Sequence, residues 1–177
     1  MIRYYVTDRR QGDVLACAAR AVRDSVDMIQ VREKDLPAHE LFDLVCKIRD
    51  LTVGTTTRIL VNDRADIALA AGIDGVHLPG NGLPAERVRP LVRLLGVSTH
   101  SVDEAIHAER AGTDFIVFGP VFDSPGKNAV GVEALRKVVT SVRIPVLAIG
   151  GISAANSDQV LRAGAAGIAG IRLFQRE

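Results

Sequence analysis

Eight short apolar runs rich in valine and isoleucine alternate with helix-periodic segments, and no other feature restricts the fold of this chain so strongly. The runs lie near residues 2–6, 27–31, 58–62, 74–78, 94–98, 114–118, 145–149 and 167–171. The helical segments lie near 12–23, 37–52, 64–71, 84–92, 102–111, 130–140 and 154–163. Apolar strands with helices between them suit a parallel sheet buried on both faces. Eight such units with right-handed crossovers predict a compact α/β protein, the (β/α)8 or TIM barrel. The competing architecture, an open doubly wound sheet, wants a glycine-rich loop after the first strand, where this chain has Thr7-Asp8-Arg9.

A weak internal repeat agrees with the barrel. Ala71-Gly-Ile-Asp-Gly-Val76, Ala111-Gly-Thr-Asp-Phe-Ile116 and Ala163-Gly-Ala-Ala-Gly-Ile168 each place glycine between a helix and a strand, where a left-handed cap turns the chain. Ser101-x-x-Glu104 reads as a capping box, and Asp35 with Pro37 as a helix start. After the eighth run only Leu173 to Glu177 remain, so the C-terminal helix is expected to be missing or truncated. A partner copy, giving a homodimer, is the expected cover for that side.

The chain has 177 residues, enough for one well-buried core and too few for two ordinary domains, so a single domain over 1–177 is expected. Net charge is +1 with no Lys/Arg block, which argues against nucleic-acid and anionic-membrane partners. No apolar run approaches the roughly 18 residues a membrane span needs, and Met1-Ile-Arg-Tyr-Tyr5 is no signal peptide, so a cytoplasmic location is expected. Cys17 and Cys46 lack a second ligand at metal spacing and read as reduced thiols.

Barrel chemistry collects at the carboxyl ends of the strands. The second run ends Gln30-Val-Arg-Glu-Lys34, where alternation puts Gln30, Arg32 and Lys34 on one side and Val31 and Glu33 on the other. An amide and two cations at a barrel mouth suit a diphosphate, although the same residues suit a solvated turn. The third run ends Asn62-Asp63-Arg64; Asp63 can hold magnesium with a phosphate completing the coordination, or cap the next helix. The fifth ends Ser98-Thr99-His100, offering a hydroxyl donor and a proton carrier. His77 lies inside the fourth run and reads as a packed neutral imidazole, while His39 and His107 read as surface residues. The sixth leads into the longest polar connection, Gly119 to Asn128, a lid candidate with Lys127 near its tip. The seventh ends Ile149-Gly-Gly-Ile152, a bare-backbone turn of the kind that receives phosphate in barrels.

These blocks carry a resemblance. Tyr5-Val-Thr-Asp8, Gln30-Val-Arg-Glu-Lys34, Leu60-Val-Asn-Asp-Arg64, Asp74-Gly-Val-His-Leu78, Gly96-Val-Ser-Thr-His100, Phe118-Gly-Pro-Val-Phe122 and Ala148-Ile-Gly-Gly-Ile152 follow the order and approximate spacing of the thiamine phosphate synthase and thiazole tautomerase superfamily. The synthase branch joins hydroxymethylpyrimidine diphosphate to thiazole phosphate with release of pyrophosphate. The resemblance implies Mg2+ on Asp63, pyrimidine diphosphate on Gln30, Arg32, Lys34 and Asn62, diphosphate contacts from Ser98 and Lys127, and thiazole phosphate at Gly151 and the Ile171 backbone. It also implies a dissociative course through a pyrimidine-methyl cation.

The chain departs from that pattern at three places. Gly82 stands where a second magnesium aspartate is usual, Ser124-Pro-Gly126-Lys127 replaces a Thr-x-Thr-Lys loop, and Arg172 replaces a small serine, where it could clamp the phosphate or close the pocket. The tautomerase branch would use His100 as acid and base, and the Leu78-Pro79 turn resembles it. That branch usually loosens the residues kept here as Gln30, Lys34 and Asp63, so the synthase is the preferred expectation. A non-catalytic binder of phosphate ligands is the third.

Overall fold

The computed structural model describes residues 1–175. Its strands are β1 (Ile2–Val6), β2 (Met28–Val31), β3 (Arg58–Asn62), β4 (Gly75–Leu78), β5 (Leu94–Thr99), β6 (Phe115–Phe118), β7 (Val146–Ala148) and β8 (Gly167–Gly170). All pair in parallel with their neighbours in sequence, and β8 pairs with β1 to close the barrel. The helices α1 (Val14–Arg23), α2 (Ala38–Leu51), α3 (Ala65–Ala71), α4 (Ala85–Val88), α5 (Val102–Arg110), α6 (Val132–Ser141) and α7 (Ser157–Arg162) follow the first seven strands in turn. The expected (β/α)8 architecture is the observed one.

Local chemistry sets the boundaries. Asp13 accepts from the N–H groups of Leu15 and Ala16 at 2.9 and 3.1 Å to start α1. Ser101 accepts from Glu104 N–H at 3.2 Å to start α5, but the Glu104 carboxylate reaches back to His100 N–H at 2.7 Å, one residue beyond a strict capping box. Asp35 caps nothing; it pairs in two-pronged fashion with Arg9 at 2.9 Å. The expected fourth helix over 84–92 is only α4 followed by a 3-10 turn at Arg89–Leu91, because Pro90 cannot donate to an α-helical ladder. The repeat glycines Gly72, Gly112 and Gly164 all take positive φ, at 63°, 82° and 98°.

Burial separates the strand residues into two sets. Tyr4, Met28, Leu60, Phe115 and Leu147 fill the barrel interior. Tyr5, Ile29, Val31, Val61 and Val76 face the layer beneath α1 to α4. Burying each such aliphatic side chain contributes about 1.5–3 kcal/mol. Past β8 the described residues form a turn rather than a helix, with the N–H groups of Phe174 and Gln175 both on Ile171 C=O at 3.0 Å. This turn packs back on the barrel: Leu173 lies against the cluster containing Ile168, and Phe174 meets Tyr5 and lies under Arg3. Ile168 is 5% exposed. No described helix is long and apolar enough to cross a membrane.

Candidate active site

From β1 to β7, the loop at the carboxyl end of each strand touches the next. Between β1 and β2 the Glu33 carboxylate, 4% exposed, accepts from Thr7 Oγ1 at 2.6 Å and from Arg9 N–H at 3.1 and 3.2 Å. Thr7 Oγ1 in turn accepts from Arg32 N–H at 2.9 Å. Glu33 is therefore a clamp that fixes the backbone of Arg32, a role the strand alternation did not disclose. Lys34, Asn62 and Asp63 line a common cleft beside Glu33 and Arg64.

β2 ends at Val31, so regular alternation stops before Arg32 and Lys34. Gln30 lies below the rim rather than on it: it is 3% exposed, and its Nε2 donates to Tyr4 Oη at 3.0 Å. Arg32 stands near enough to His77 for its charge to act on the imidazole. Arg32, Lys34, Lys127 and Arg172 have no ion-pair partner among the described residues, whereas Arg64 is held by Asp66 at 2.6 Å.

Asp63 adopts a left-handed backbone, φ 61°, held by its N–H on His77 C=O at 3.0 Å. Aspartate tolerates that region better than most residues, at a cost of order 1 kcal/mol. Arg64 is the cap position of α3 and no side chain caps it, so Asp63 does not serve the helix. Its carboxylate and the Asn62 amide accept or donate no hydrogen bond among the described residues. No group of three or more His, Cys, Asp or Glu among the described residues could hold a metal alone. The donor set fits a hard cation whose remaining ligands come from substrate phosphate, the usual habit of Mg2+.

From β4 onward the contacts continue around the barrel. A Cβ at Gly80 would meet Ser98 C=O at 3.2 Å and the His100 ring at 3.8 Å, which places the Pro79–Gly82 turn over β5. His100 Nδ1 lies 2.6 Å from Gly119 C=O. A carbonyl only accepts, so Nδ1 carries the proton and, in the neutral ring, Nε2 keeps its lone pair toward Gly80. The loop bearing Lys127 is not slack. Ser124 and Lys127 exchange backbone hydrogen bonds at 3.2 and 2.9 Å across a Pro125-Gly126 turn, and Asp123 accepts from Ala129 N–H at 2.9 Å.

Gly150 and Gly151 follow β7 with φ 96° and 62°. A Cβ on either would collide with the β6 loop, at 2.4 Å from Pro120 Cβ and 2.5 Å from Asp123 C=O. Asn156, which the sequence placed inside a helix, instead ties this turn: its Nδ2 donates to Gly151 C=O at 2.9 Å and its Oδ1 accepts from Ser153 N–H at 2.8 Å. The N–H groups of Gly151, Ile152, Ile171 and Arg172 bond to nothing among the described residues. Bare backbone amides of this kind are suited to accepting an anion.

Below the rim a second polar feature crosses the barrel. Tyr4 Oη lies 3.2 Å from His77 Nδ1, and His77 Nε2 lies 2.8 Å from Ser98 Oγ. Burial, assisted by the Arg32 charge, pushes the His77 pKa down to about 3, so the ring is neutral, as its place in an apolar strand suggested. Burial likewise raises the Tyr4 phenol.

A closed parallel barrel with charged and polar side chains at the carboxyl ends of its strands defines the class: a (β/α)8 protein. A family model described as thiamine monophosphate synthase matches residues 3–174, and the chain belongs to that family, whose named relatives are transferases. It is 47% identical over 176 residues to a Geobacter sulfurreducens relative provisionally named thiamine-phosphate synthase, covering 94% of this chain and 83% of that one. It is 36% identical over 178 residues to the thiamine-phosphate synthase of Caldanaerobacter subterraneus, covering 95% and 83%. The solved structure of thiamine phosphate pyrophosphorylase from Pyrococcus furiosus superposes with a TM-score of 0.93 at 37% identity, covering 99% of this chain and 88% of that one.

Proposed function

We propose that this rim joins a hydroxymethylpyrimidine diphosphate to a thiazole phosphate and releases pyrophosphate, the reaction of a thiamine-phosphate synthase. The observation that supports the reading is that the strand ends carry both cations without ion-pair partners and bare backbone amides, groups suited to two anions. Lys34 shares a cleft with Asn62 and Asp63, and Arg32 and Ser98 both act on His77, while the β6 loop carries Lys127, which has no ion-pair partner among the described residues; the bare amides of Gly151, Ile152, Ile171 and Arg172 follow β7 and β8. Two sites for two phosphorylated rings are what the reaction requires.

In this reading the cations hold the diphosphate as its bond to the pyrimidine methylene breaks and both electrons leave with the oxygen. The thiazole nitrogen lone pair then forms the new C–N bond. Positioning the rings and stabilising the departing charge account for the catalysis. Asp63, with Asn62 beside it, would hold Mg2+, which when bound neutralises charge on the diphosphate. The Arg172 guanidinium, exposed beside the Ile171 amide, would reinforce the thiazole phosphate site.

A second reading, thiazole tautomerisation, rests on His100, whose Nδ1–H bond to Gly119 leaves Nε2 available as a base. One paired assay separates the two. Incubation with both synthase substrates and Mg2+ should release pyrophosphate, and Asp63→Ala should abolish the release. Absence of product, together with thiazole isomerisation that is lost in His100→Ala, would overturn the preferred reading.

A further inference from the structure

We propose that Gln30, Tyr4, His77 and Ser98 form a one-way hydrogen-bond relay through the barrel that turns the Ser98 hydroxyl proton outward, toward the anionic oxygen of the bound ligand. Tyr4 and His77 are thereby positioning residues for a group they do not touch. The purpose of the relay rests on the reading of Ser98 as a diphosphate contact; its direction does not.

The direction follows from counting protons. Gln30 Nε2 can only donate, and it lies 3.0 Å from Tyr4 Oη. The single Tyr4 proton is then directed to His77 Nδ1 at 3.2 Å. A neutral imidazole that accepts at Nδ1 carries its proton on Nε2, and Nε2 lies 2.8 Å from Ser98 Oγ. Ser98 Oγ accepts that proton, which leaves its own O–H free to point out of the barrel. Tyr4, Gln30 and His77 are 0%, 3% and 3% exposed, so water does not compete for these bonds, while Ser98 is partly exposed at the mouth. The relay thus ends where a ligand can meet it.

Packing holds the rings in place. Tyr4 meets Phe115 edge-on with centroids 5.5 Å apart, and Phe115 lies 6.0 Å from the His77 ring. Gly96, opposite His77 in the register, leaves the space the imidazole occupies: a Cβ there would stand 2.9 Å from His77 Nδ1. Running the relay backward would have Tyr4 Oη accept from both Gln30 and His77 and leave its own buried proton without an acceptor, unless Gln30 presented its carbonyl instead. Ser98 would then donate inward and face an incoming phosphate with lone pairs alone.

Two measurements on the full chain test this. Long-range ¹⁵N–¹H spectra of histidine-labelled protein should show His77 as the neutral Nε2–H tautomer; an Nδ1–H tautomer or an imidazolium overturns the relay whatever the activity. Tyr4→Phe keeps the ring and removes the hydroxyl, so it should fold, and its affinity for inorganic pyrophosphate with Mg2+ should fall roughly 3- to 10-fold, one hydrogen bond's worth. In a Ser98→Ala background the same substitution should have no further effect. An equal fold-loss in both backgrounds would show that Tyr4 acts only on general packing and would overturn the relay. A wild-type chain that binds no pyrophosphate overturns the anion-site reading and the relay's stated purpose, while the tautomer spectrum still decides its direction.

Discussion

Gly82 packs against Asp63 so closely that a Cβ at position 82 would stand 2.9 Å from Asp63 Oδ1. The same atom would meet Pro79 Cδ at 2.9 Å and Pro79 C=O at 3.1 Å, inside a turn closed by Gly82 N–H on Pro79 C=O at 2.9 Å. The missing second aspartate is therefore more than a lost ligand: the Asp63 carboxylate occupies part of the space its side chain would need.

Restoring that residue tests the relationship. Gly82→Ala should lower stability by about 1–3 kcal/mol through overpacking, and Mg2+ should not recover it. Gly82→Asp should lose more, because two carboxylates in one site repel, and should recover part of the loss when Mg2+ and pyrophosphate are added together. Thermal melts with and without these additions report both effects. A Gly82→Asp chain that melts at the wild-type temperature without Mg2+ contradicts the crowding.

Asn156 should affect one substrate only. It ties the Gly150-Gly151 turn by two hydrogen bonds at an exposed loop, so Asn156→Ala should loosen the turn by about 1–2 kcal/mol. With Gly151 receiving the thiazole phosphate, the KM for that substrate should rise roughly 5- to 30-fold, since each 1.4 kcal/mol is tenfold, and kcat should change little. A fall in kcat with the thiazole KM unchanged would place Asn156 elsewhere in the mechanism.

The parts of this molecule that depend on neighbouring residues were legible in the sequence. Apolar runs gave the strand count, and Gly72, Gly112 and Gly164 marked the turns into strands because only a residue without a side chain takes those angles cheaply. What depends on barrel closure was not legible. Tyr4 and His77 stand 73 residues apart, and each looks like a packing residue within its own run; only closure brings their polar atoms to 3.2 Å. The signal available was that a buried tyrosine hydroxyl usually finds a partner, and that general tendency does not say which residue supplies it. Asp63 was ambiguous for the same reason: capping is local and visible, whereas contact with Gly82 belongs to the next loop. Asn156 was hidden by its helix-like surroundings, since a side-chain tie to a preceding turn leaves no periodic trace.

Gly96 should tolerate no side chain. A Cβ there would lie 2.4 Å from Phe115 Cζ and 2.9 Å from His77 Nδ1, and both rings are 3% exposed in a filled interior. Gly96→Ala should cost about 1–3 kcal/mol and weaken pyrophosphate binding by displacing His77 from Ser98. Denaturant midpoints and pyrophosphate titration measure the two losses; a variant with wild-type values for both would show that the interior has room the geometry denies.

Acid should destabilise the fold through His77 well before the carboxylates protonate. In the unfolded chain this histidine takes its proton near pH 6.5, whereas burial and Arg32 push that event down to about pH 3 in the folded chain. Between those values the unfolded state binds one more proton, so this contribution to stability rises with pH from about 3 to about 6.5 and is constant above. The slope is about 1.4 kcal/mol per pH unit, or about 2 kcal/mol between pH 6.5 and 5.0. Asp8, where hydrogen bonds from Gln11 and Arg10 outweigh burial, and Asp66, held by Arg64, have pKa values below the ordinary 3.8 and add their own losses only at lower pH. Urea unfolding at pH 7.0, 6.0 and 5.0 isolates the histidine window. Wild-type stability should fall across that series, and His77→Gln, which cannot be protonated, should lose about 2 kcal/mol less over the same range. Equal slopes in the two chains would mean that the ring takes its proton as readily in the folded chain as in the unfolded one, against the burial and the Arg32 charge that disfavour it.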